Sequence, residues 1–494
     1  MILRCIQESL MLKTLIKKEI TAAIFDLRFV IATLLCIVLI PLGMYVGRKD
    51  YEHRLAAYQI KHQEYRQRHG KGVEPYTEAQ AFRPPSVMSI FASGVDPFMP
   101  DKFTTARSGL FRTTKESIID NPSSLLFGKV DFIFSVVFIV SLAALIFTFN
   151  SFSGERERGT LRLIIANSVP RSRILLAKVV GNYVALSIPF IISILVALLI
   201  LDASPDVSII SSSVWLSLLV IMGVTFLFML CMVSLGLCIS AFTRNSMDSI
   251  VLAFFVWAIL AICIPKVSPM VADVLYPVEG ANVFDTNKRL VAEDIDHELV
   301  EEMEELREKC FEEFGAPESD MNTSHPRTEL GLKANAMYEQ EFAPIAERYQ
   351  KRLAAALRRL EQDYSRRTNV RSSIAMNLSR ISPVSSYTYI VSELSGTGVT
   401  EPDNFTQNAQ RYQDQVKQAV YDKIVVKRLR GGGGRYEYPN GFDPGDAPVP
   451  EMTYTYPNLA QALQASRLDI VLLGLFAVLF FALTFMKLNK YDVR

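Results

Sequence analysis

One stretch of the chain combines charges, apolar residues and helix breakers in an order suited to docking on another molecule. It runs from Gly154 to Lys178 and begins with alternating charges, which are followed by an apolar run, a proline and a second basic cluster. The positions with this docking chemistry are Glu155, Glu157, Arg158, Gly159, Thr160, Leu163, Ile164, Pro170, Arg171 and Lys178. A helix with one apolar and one charged face lies along a membrane surface or is presented to a soluble partner. The alternative is a solvated connector between two membrane spans, but a connector needs neither the apolar run nor the second basic cluster.

The charged and apolar parts of this stretch predict different contributions to docking. Glu155 and Glu157 can pair with basic residues of a partner, or with Arg158 and Arg162 on their own helix. Partly exposed ion pairs contribute about 0–1 kcal/mol each, whereas burial of one large apolar side chain contributes roughly 1.5–3 kcal/mol. We therefore expect the apolar run to supply most of the docking energy and the carboxylates to set the orientation.

Six apolar segments surround this stretch, and each is near the ~20 residues that a helix needs to cross a bilayer. The sequence therefore predicts an all-α polytopic membrane protein with six transmembrane helices. The predicted order is an amphipathic N-terminal helix at 1–26, span 1 at 27–47, an external loop at 48–130, spans 2–5 at 131–266 with a coupling helix at 153–178, a large external helical domain at 267–467, span 6 at 468–487 and a tail at 488–494.

Small residues within the predicted spans indicate where helices can cross closely. Gly181 with Ala185 and Gly236 with Ser240 are each four positions apart, so each pair lies on one helix face and allows a neighbouring backbone to approach. Such pairs also arise by chance in membrane helices.

Composition agrees with a membrane protein that has sizeable water-exposed parts. Of its 494 residues, 50% are hydrophobic, which is too many for an ordinary soluble protein, yet 21% are charged. The net charge of +1 gives no basic surface for nucleic acid. Basic residues of the short loops and both termini fall on one side of the six spans, so the positive-inside rule predicts cytosolic termini and a cytosolic coupling segment in a plasma (inner) membrane.

The large external domain contains an acidic stretch at 287–314 and a basic one within 329–371. Opposite charges on neighbouring helices predict an antiparallel hairpin with ion pairs across it. Two unrelated solvated helices are the alternative.

The sequence offers no set of catalytic residues and no metal site. A Walker A motif is absent, so the chain cannot bind ATP in the P-loop manner. No predicted span contains an internal charged residue or histidine, which argues against an ion-coupled carrier. His62 and His69 lie on one helical face, but two histidines without a third ligand are weak support for a metal.

The docking stretch resembles the coupling region of type-two ABC transporter permeases, and the resemblance covers most of the chain. The motifs that carry it are Glu157-Arg-Gly-Thr-Leu161 with Pro170-Arg171, Asn121-Pro122 and Gly128–Asp131 before the second span, and Ser382-Pro383, Ser395–Gly398, Phe405, Ala409 and Tyr412 farther on. These features are similar to the branch with a large external loop, which includes permeases linked to multicopper enzyme maturation.

The resemblance implies the membrane-spanning subunit of an ATP-driven exporter. Its ATP-binding subunit would be a separate chain that carries the ATP and Mg, so this chain would bind no cofactor itself. A second permease, identical or a related paralogue, would complete the assembly in the lipid bilayer. The substrate would be hydrophobic, amphipathic or peptide-like. The alternative function is a mechanotransmission or assembly module that acts on an external envelope partner, as in metalloenzyme maturation, without transporting a substrate.

Overall fold

The computed structural model describes residues 2–69, 79–105, 111–114, 130–166, 170–202, 212–321, 327–419, 425–428, 434–437 and 450–491. The motif residues Asn121, Pro122 and Gly128 lie outside these ranges, as do positions 167–169 of the docking stretch.

The described chain is mainly helical, and its elements follow in this order. They are α1 (Ile2–Ile24), α2 (Leu27–His69), β1 (Ala79–Phe82), β2 (Lys102–Thr105), β3 (Phe111–Thr114), α3 (Phe132–Glu157), α4 (Thr160–Ala166), α5 (Arg171–Asp202), α6 (Ser212–Phe242), α7 (Ser246–Leu275), α8 (Ala281–Glu313), α9 (Glu318–Met321), α10 (Glu329–Ser379), α11 (Pro383–Leu394), α12 (Glu401–Ala419), β4 (Val425–Arg428), β5 (Gly434–Glu437) and α13 (Leu459–Asn489).

Among the described residues, six helices are long and apolar enough to cross a membrane, namely α2, α3, α5, α6, α7 and α13. The all-α polytopic fold class predicted from the sequence is therefore confirmed, with two small sheets added to it. We call the end of this helix bundle that carries α1, α4 and the start of α5 the basic end. The opposite end, which carries α8, α10 and the first sheet, is the hairpin end.

The helix that contains the predicted fifth span extends beyond the boundary that the sequence predicts. The predicted spans 2–5 end at residue 266, but α7 continues to Leu275. A π-helical stretch, Ile259–Cys263, precedes Pro265, and the proline lies in the first turn of the helical segment that follows. Because α7 is continuous through this point, Pro265 removes one backbone hydrogen bond from the helix, and the wider π-helical turn lies directly before it.

Close helix packing in the bundle depends on two glycines. A Cβ atom at Gly236 of α6 would collide with the Thr148 hydroxyl of α3, and one at Gly181 of α5 would collide with Glu19 of α1. Small residues at such crossings allow two helix backbones to approach closely.

The sequence places α11 within the external domain at 267–467, but the structure packs this helix in the bundle. Its side chains Val384, Tyr387, Ile390 and Val391 are buried in the same apolar core as the six long helices. Tyr387 stacks on Phe228 of α6 with 4.5 Å between ring centroids. An apolar helix of twelve residues is too short to span a bilayer, which is why the hydropathy pattern does not separate it from its polar neighbours.

At the hairpin end, the two predicted external loops form one module. Strands β1, β2 and β3 are antiparallel, and Phe103 of β2 packs edge-on against Tyr412 of α12 at 6.0 Å. The Thr397 hydroxyl donates to the Ala92 carbonyl at 3.0 Å, and the Val95 amide donates to the Thr397 carbonyl at 2.9 Å. Contacts between residues about 300 positions apart leave no local pattern in the sequence. From the sequence, the two loops are therefore predicted as separate regions.

Helices α8 and α10 form the antiparallel hairpin that the charge pattern predicts. Lys288 pairs with Glu361 at 2.5 Å, and arginines of α10 pair with Glu298 and Glu302 of α8. Along these pairs the residue number falls in α10 as it rises in α8, so the two helices run in opposite directions. The alternative of two unrelated helices is wrong.

Candidate coupling site at the basic end

The stretch 153–178 is not the single helix that the sequence predicts. Its beginning, Ser153–Glu157, is the last turn of α3, and Lys178 belongs to the first turns of α5. Between them Gly159 has φ +72°, a left-handed conformation that glycine adopts without a Cβ clash. This turn ends α3 and redirects the chain into the short helix α4.

Glu155 is buried and faces the inside of the bundle. Its carboxylate lies 2.8 Å from the ammonium group of Lys178, and the same ammonium lies 3.2 Å from Glu19 of α1. Both Glu155 and Lys178 are buried. Among the described residues Glu155 therefore pairs with Lys178 and not with Arg158 or Arg162, since the turn at 158–159 brings α5 back alongside α3. Its pairing with a partner protein stays a prediction.

Glu157 is also engaged within the chain. Its carboxylate accepts hydrogen bonds from the Ser246 amide at 3.1 Å and from the Ser246 hydroxyl at 2.8 Å. Ser246 is the first residue of α7, where unpaired N–H groups and the helix dipole favour a negative charge. Glu157 thus joins the second span to the fifth, a role that the sequence pattern does not indicate.

Two arginines of the site satisfy carbonyl groups at the ends of other helices. Arg156 donates to the carbonyls of Ala241, at 3.2 Å, and Thr243 at the end of α6. Arg171 donates to the Leu488 carbonyl at 3.1 Å and to the Asn489 carbonyl at the end of α13. The predicted site omits Arg156, although the last carbonyls of any helix need such donors.

The remaining predicted residues lie on the outer side of the site. Leu161 is fully buried and anchors α4, whereas Arg158, Thr160 and Pro170 are exposed. Leu163 is 67% exposed, and Ile164 is half-buried. The apolar docking residues of the prediction are therefore divided, with Leu163 turned to the surface and Ile164 turned partly inward.

A cavity of about 460 Å³ separates α4 from α1. Its lining includes Glu19, Asp26, Glu155 and Ile164. The second carboxylate oxygen of Glu155 has no hydrogen-bond partner among the residues that the structure describes. The site thus combines an ion-pair cluster with a cavity beside α4.

The side chains of this site link several long helices at the basic end. Across the described parts of the chain, no group of three His, Cys, Asp or Glu residues is placed to hold a metal ion. The side chains around α4 instead connect the ends of five long helices, namely α3, α5, α6, α7 and α13.

Comparison with known protein families agrees with this geometry. The chain matches the family of ABC-2 family transporter proteins over residues 13–493, which includes all six long helices and the coupling site. No curated protein matches the chain at a significant level. Membership of the family implies a membrane setting and an ABC ATP-binding subunit as partner. The chain is therefore a type-two ABC transporter permease and belongs to the ABC-2 family of transporter proteins.

Proposed function

We propose that this permease is the membrane-spanning subunit of an ATP-driven exporter and docks through α4 on a separate ATP-binding subunit. The observation that carries the proposal is the exposure of Leu163 at 67% on a helix that is anchored by the buried Leu161. An exposed large apolar residue on a braced short helix is a suitable contact for an apolar groove on a partner.

The internal contacts of the site support a role in coupling. The end of α3, which the turn at Gly159 joins to α4, is tied to the third span through the Glu155–Lys178 pair and to the fifth span through Glu157 and Ser246. The start of α5 is tied to the sixth span through Arg171 at the end of α13. Because these are direct contacts between rigid helices, closure of the ATP-binding subunits would rock the spans together.

The orientation and assembly follow from the same proposal. The basic end would face the cytosol, with both termini, in the plasma (inner) membrane. ATP and Mg would be bound by the partner. Span α7 leaves Phe254, Phe255 and Val274 exposed, which suits contact with lipid or with a second permease, identical or paralogous. Because the six spans offer mainly apolar and hydroxyl side chains, a hydrophobic, amphipathic or peptide-like substrate fits the path.

A second candidate function is mechanotransmission to an envelope partner, as in the branch linked to multicopper enzyme maturation. The observation that favours it is the attachment of the long helix α10 to two spans. Arg371 of α10 lies 3.4 Å from Asp273 of α7, and Arg380, which follows α10, pairs with Asp469 of α13. Spin labels on the hairpin and the bundle would test this, since nucleotide-dependent changes in their distance are expected only if the hairpin moves with the spans.

Photo-crosslinking in intact cells tests the docking proposal and identifies the partner in the same step. A benzophenone amino acid at position 163 should capture a protein that contains a Walker A motif. The matched control is position 60, where Ile60 is 58% exposed at the hairpin end and should capture no ATPase. Capture of the same ATPase from position 60, or of none from position 163, contradicts docking through α4.

A further inference from the structure

A large groove lies between α10 and α12 at the hairpin end, far from the coupling site. Its volume is about 1270 Å³, above the roughly 300–1,000 Å³ of small-molecule pockets. One wall is formed by α10 from Ala354 to Asn377, a length of about 35 Å at 1.5 Å per residue. An extended chain covers that length with about ten residues.

Both walls of the groove are fixed in place. The base of α10 is held to α13 by the Arg380–Asp469 pair, and its middle is held to α8 by stacking of Tyr364 on Phe284 with 4.1 Å between centroids. Helix α12 is held by the buried Phe405 and Tyr412 in the small core with the first sheet. A groove with rigid walls needs little ordering on binding, which favours affinity.

The groove presents side-chain amides from both walls. They are Gln362 and Asn369 of α10 and Gln410 of α12. A carboxamide donates and accepts hydrogen bonds, as a peptide group does. Amides spaced along two facing walls can therefore pair with the backbone of an extended segment, whereas a compact ligand would reach only some of them.

The α10 wall carries two arginines and one glutamate, and the glutamate is already paired. Arg358 and Arg366 both line the groove. Within the described ranges neither arginine has an ion-pair partner. Glu361 between them is paired with Lys288 at 2.5 Å. Asp414 lines the opposite wall, so an acidic ligand side chain is favoured on the α10 side.

We propose that this groove binds an extended acidic segment of a partner protein at the hairpin end. The α10 wall has the length of an extended segment of about ten residues. The amides form hydrogen bonds with the backbone of this segment, and Arg358 and Arg366 pair with its carboxylates. Because all residues of the groove belong to this chain, the binding is tested on the purified permease alone.

The test is fluorescence anisotropy with the full chain in lipid nanodiscs. The probe is a labelled nonapeptide in which leucine alternates with glutamate, blocked at both ends because an internal segment has no free termini. The same peptide with lysine in place of glutamate is the second probe. We expect the acidic peptide to bind more tightly, and the double variant Arg358→Gln/Arg366→Gln to weaken its binding about tenfold, since each partly exposed pair contributes a few-fold.

Two further variants make the result specific to the groove. Arg359→Gln/Arg367→Gln removes the same charge from the neighbouring positions of α10, which do not line the groove, and should leave affinity unchanged. Ser373→Trp places a bulky side chain on the exposed groove wall and should abolish binding. The proposal is overturned by absence of binding, by preference for the lysine peptide, or by equal losses in the two arginine pairs.

Discussion

Arg380 and Asp469 form a bidentate ion pair that joins the hairpin to the sixth span. The guanidinium Nε lies 2.8 Å from Oδ1 of Asp469, and Nη2 lies 2.9 Å from Oδ2. Asp469 is 2% exposed. Two residues after Arg380, the Ser382 hydroxyl donates to the Leu260 carbonyl at 2.6 Å, within the π-helical stretch of α7. The base of a helix of 51 residues is thus fixed to two spans.

Removal of Arg380 should destabilise the protein more than removal of an exposed arginine. Arg380→Met leaves the Asp469 carboxylate buried without its partner. Loss of one member of a buried pair lowers the free energy of unfolding by about 3–5 kcal/mol. Because Arg380 is partly exposed, we expect a loss of about 3 kcal/mol. The thermal midpoint in detergent measures this. Arg367→Gln, which breaks an exposed pair with Asp363, is the control. Replacing both partners, Arg380→Met/Asp469→Leu, should recover most of the loss, and failure to do so would contradict the buried-charge explanation.

Glu155 and Glu157 should behave differently although they are two residues apart. Glu155→Ala leaves the buried Lys178 with Glu19 alone and should lower the thermal midpoint. Glu157→Ala removes an exposed acceptor at the start of α7, where solvent screens the charge, and should change the midpoint much less. We expect the Glu157→Ala protein to retain its ATPase but to lose part of the transport-linked ATP turnover. Equal stability of the two variants would show that the Glu155–Lys178 pair is not structurally important.

A methyl side chain at position 236 should destabilise the protein, whereas one at position 223 should not. Gly236→Ala forces α6 away from Thr148 of α3, and overpacking of this kind costs about 1–3 kcal/mol. A Cβ atom at Gly223 of the same helix meets nothing within 4 Å, so Gly223→Ala should be neutral or slightly stabilising. The paired thermal midpoints decide this, and a Gly236→Ala protein as stable as the original would disprove the close crossing.

The module at the hairpin end should become less stable as pH rises towards neutrality. Burial raises the pKa of Glu401 to about 7, although the Tyr454 hydrogen bond and the Arg83 charge oppose this shift. Between the ordinary value of 4.5 and about 7 the folded state binds more protons than the unfolded state, so its stability falls across that interval. Hydrogen exchange of α12 at pH 5 and pH 8 measures the effect. Glu401→Gln should remove the dependence, and an unchanged pH profile in that variant would assign it to another group.

Local patterns predict the six spans and the hairpin, because both depend on residues close in sequence. Hydropathy over about 20 residues marks the spans, and the acidic and basic stretches mark α8 and α10. The same reasoning places Leu163 at the docking surface, where the structure leaves it exposed. It also predicts close packing at Gly236, which the structure confirms.

Several incorrect predictions concern contacts between distant parts of the chain. The local pattern allows Glu155 to pair with Arg158 or Arg162, because it does not report that the turn at Gly159 returns α5 to its side. Thr397 and Ala92 join two loops that are far apart in sequence, and α11 enters the bundle although its neighbours are polar. Such pairings depend on tertiary geometry, and no periodicity or composition in a short window reports them.

Co-purification of the ATP-binding subunit with Leu163→Asp protein tests docking through α4 most directly. The ATPase captured at position 163 is co-expressed with the permease, and its recovery and its ATP turnover in lipid are measured. Burial of one leucine contributes roughly 1.5–3 kcal/mol, so the variant should retain its expression but bind the ATPase at least about tenfold more weakly. Ile60→Asp at the hairpin end should bind normally. Full association and normal ATP turnover in the Leu163→Asp protein would show that α4 is only a connector between two spans.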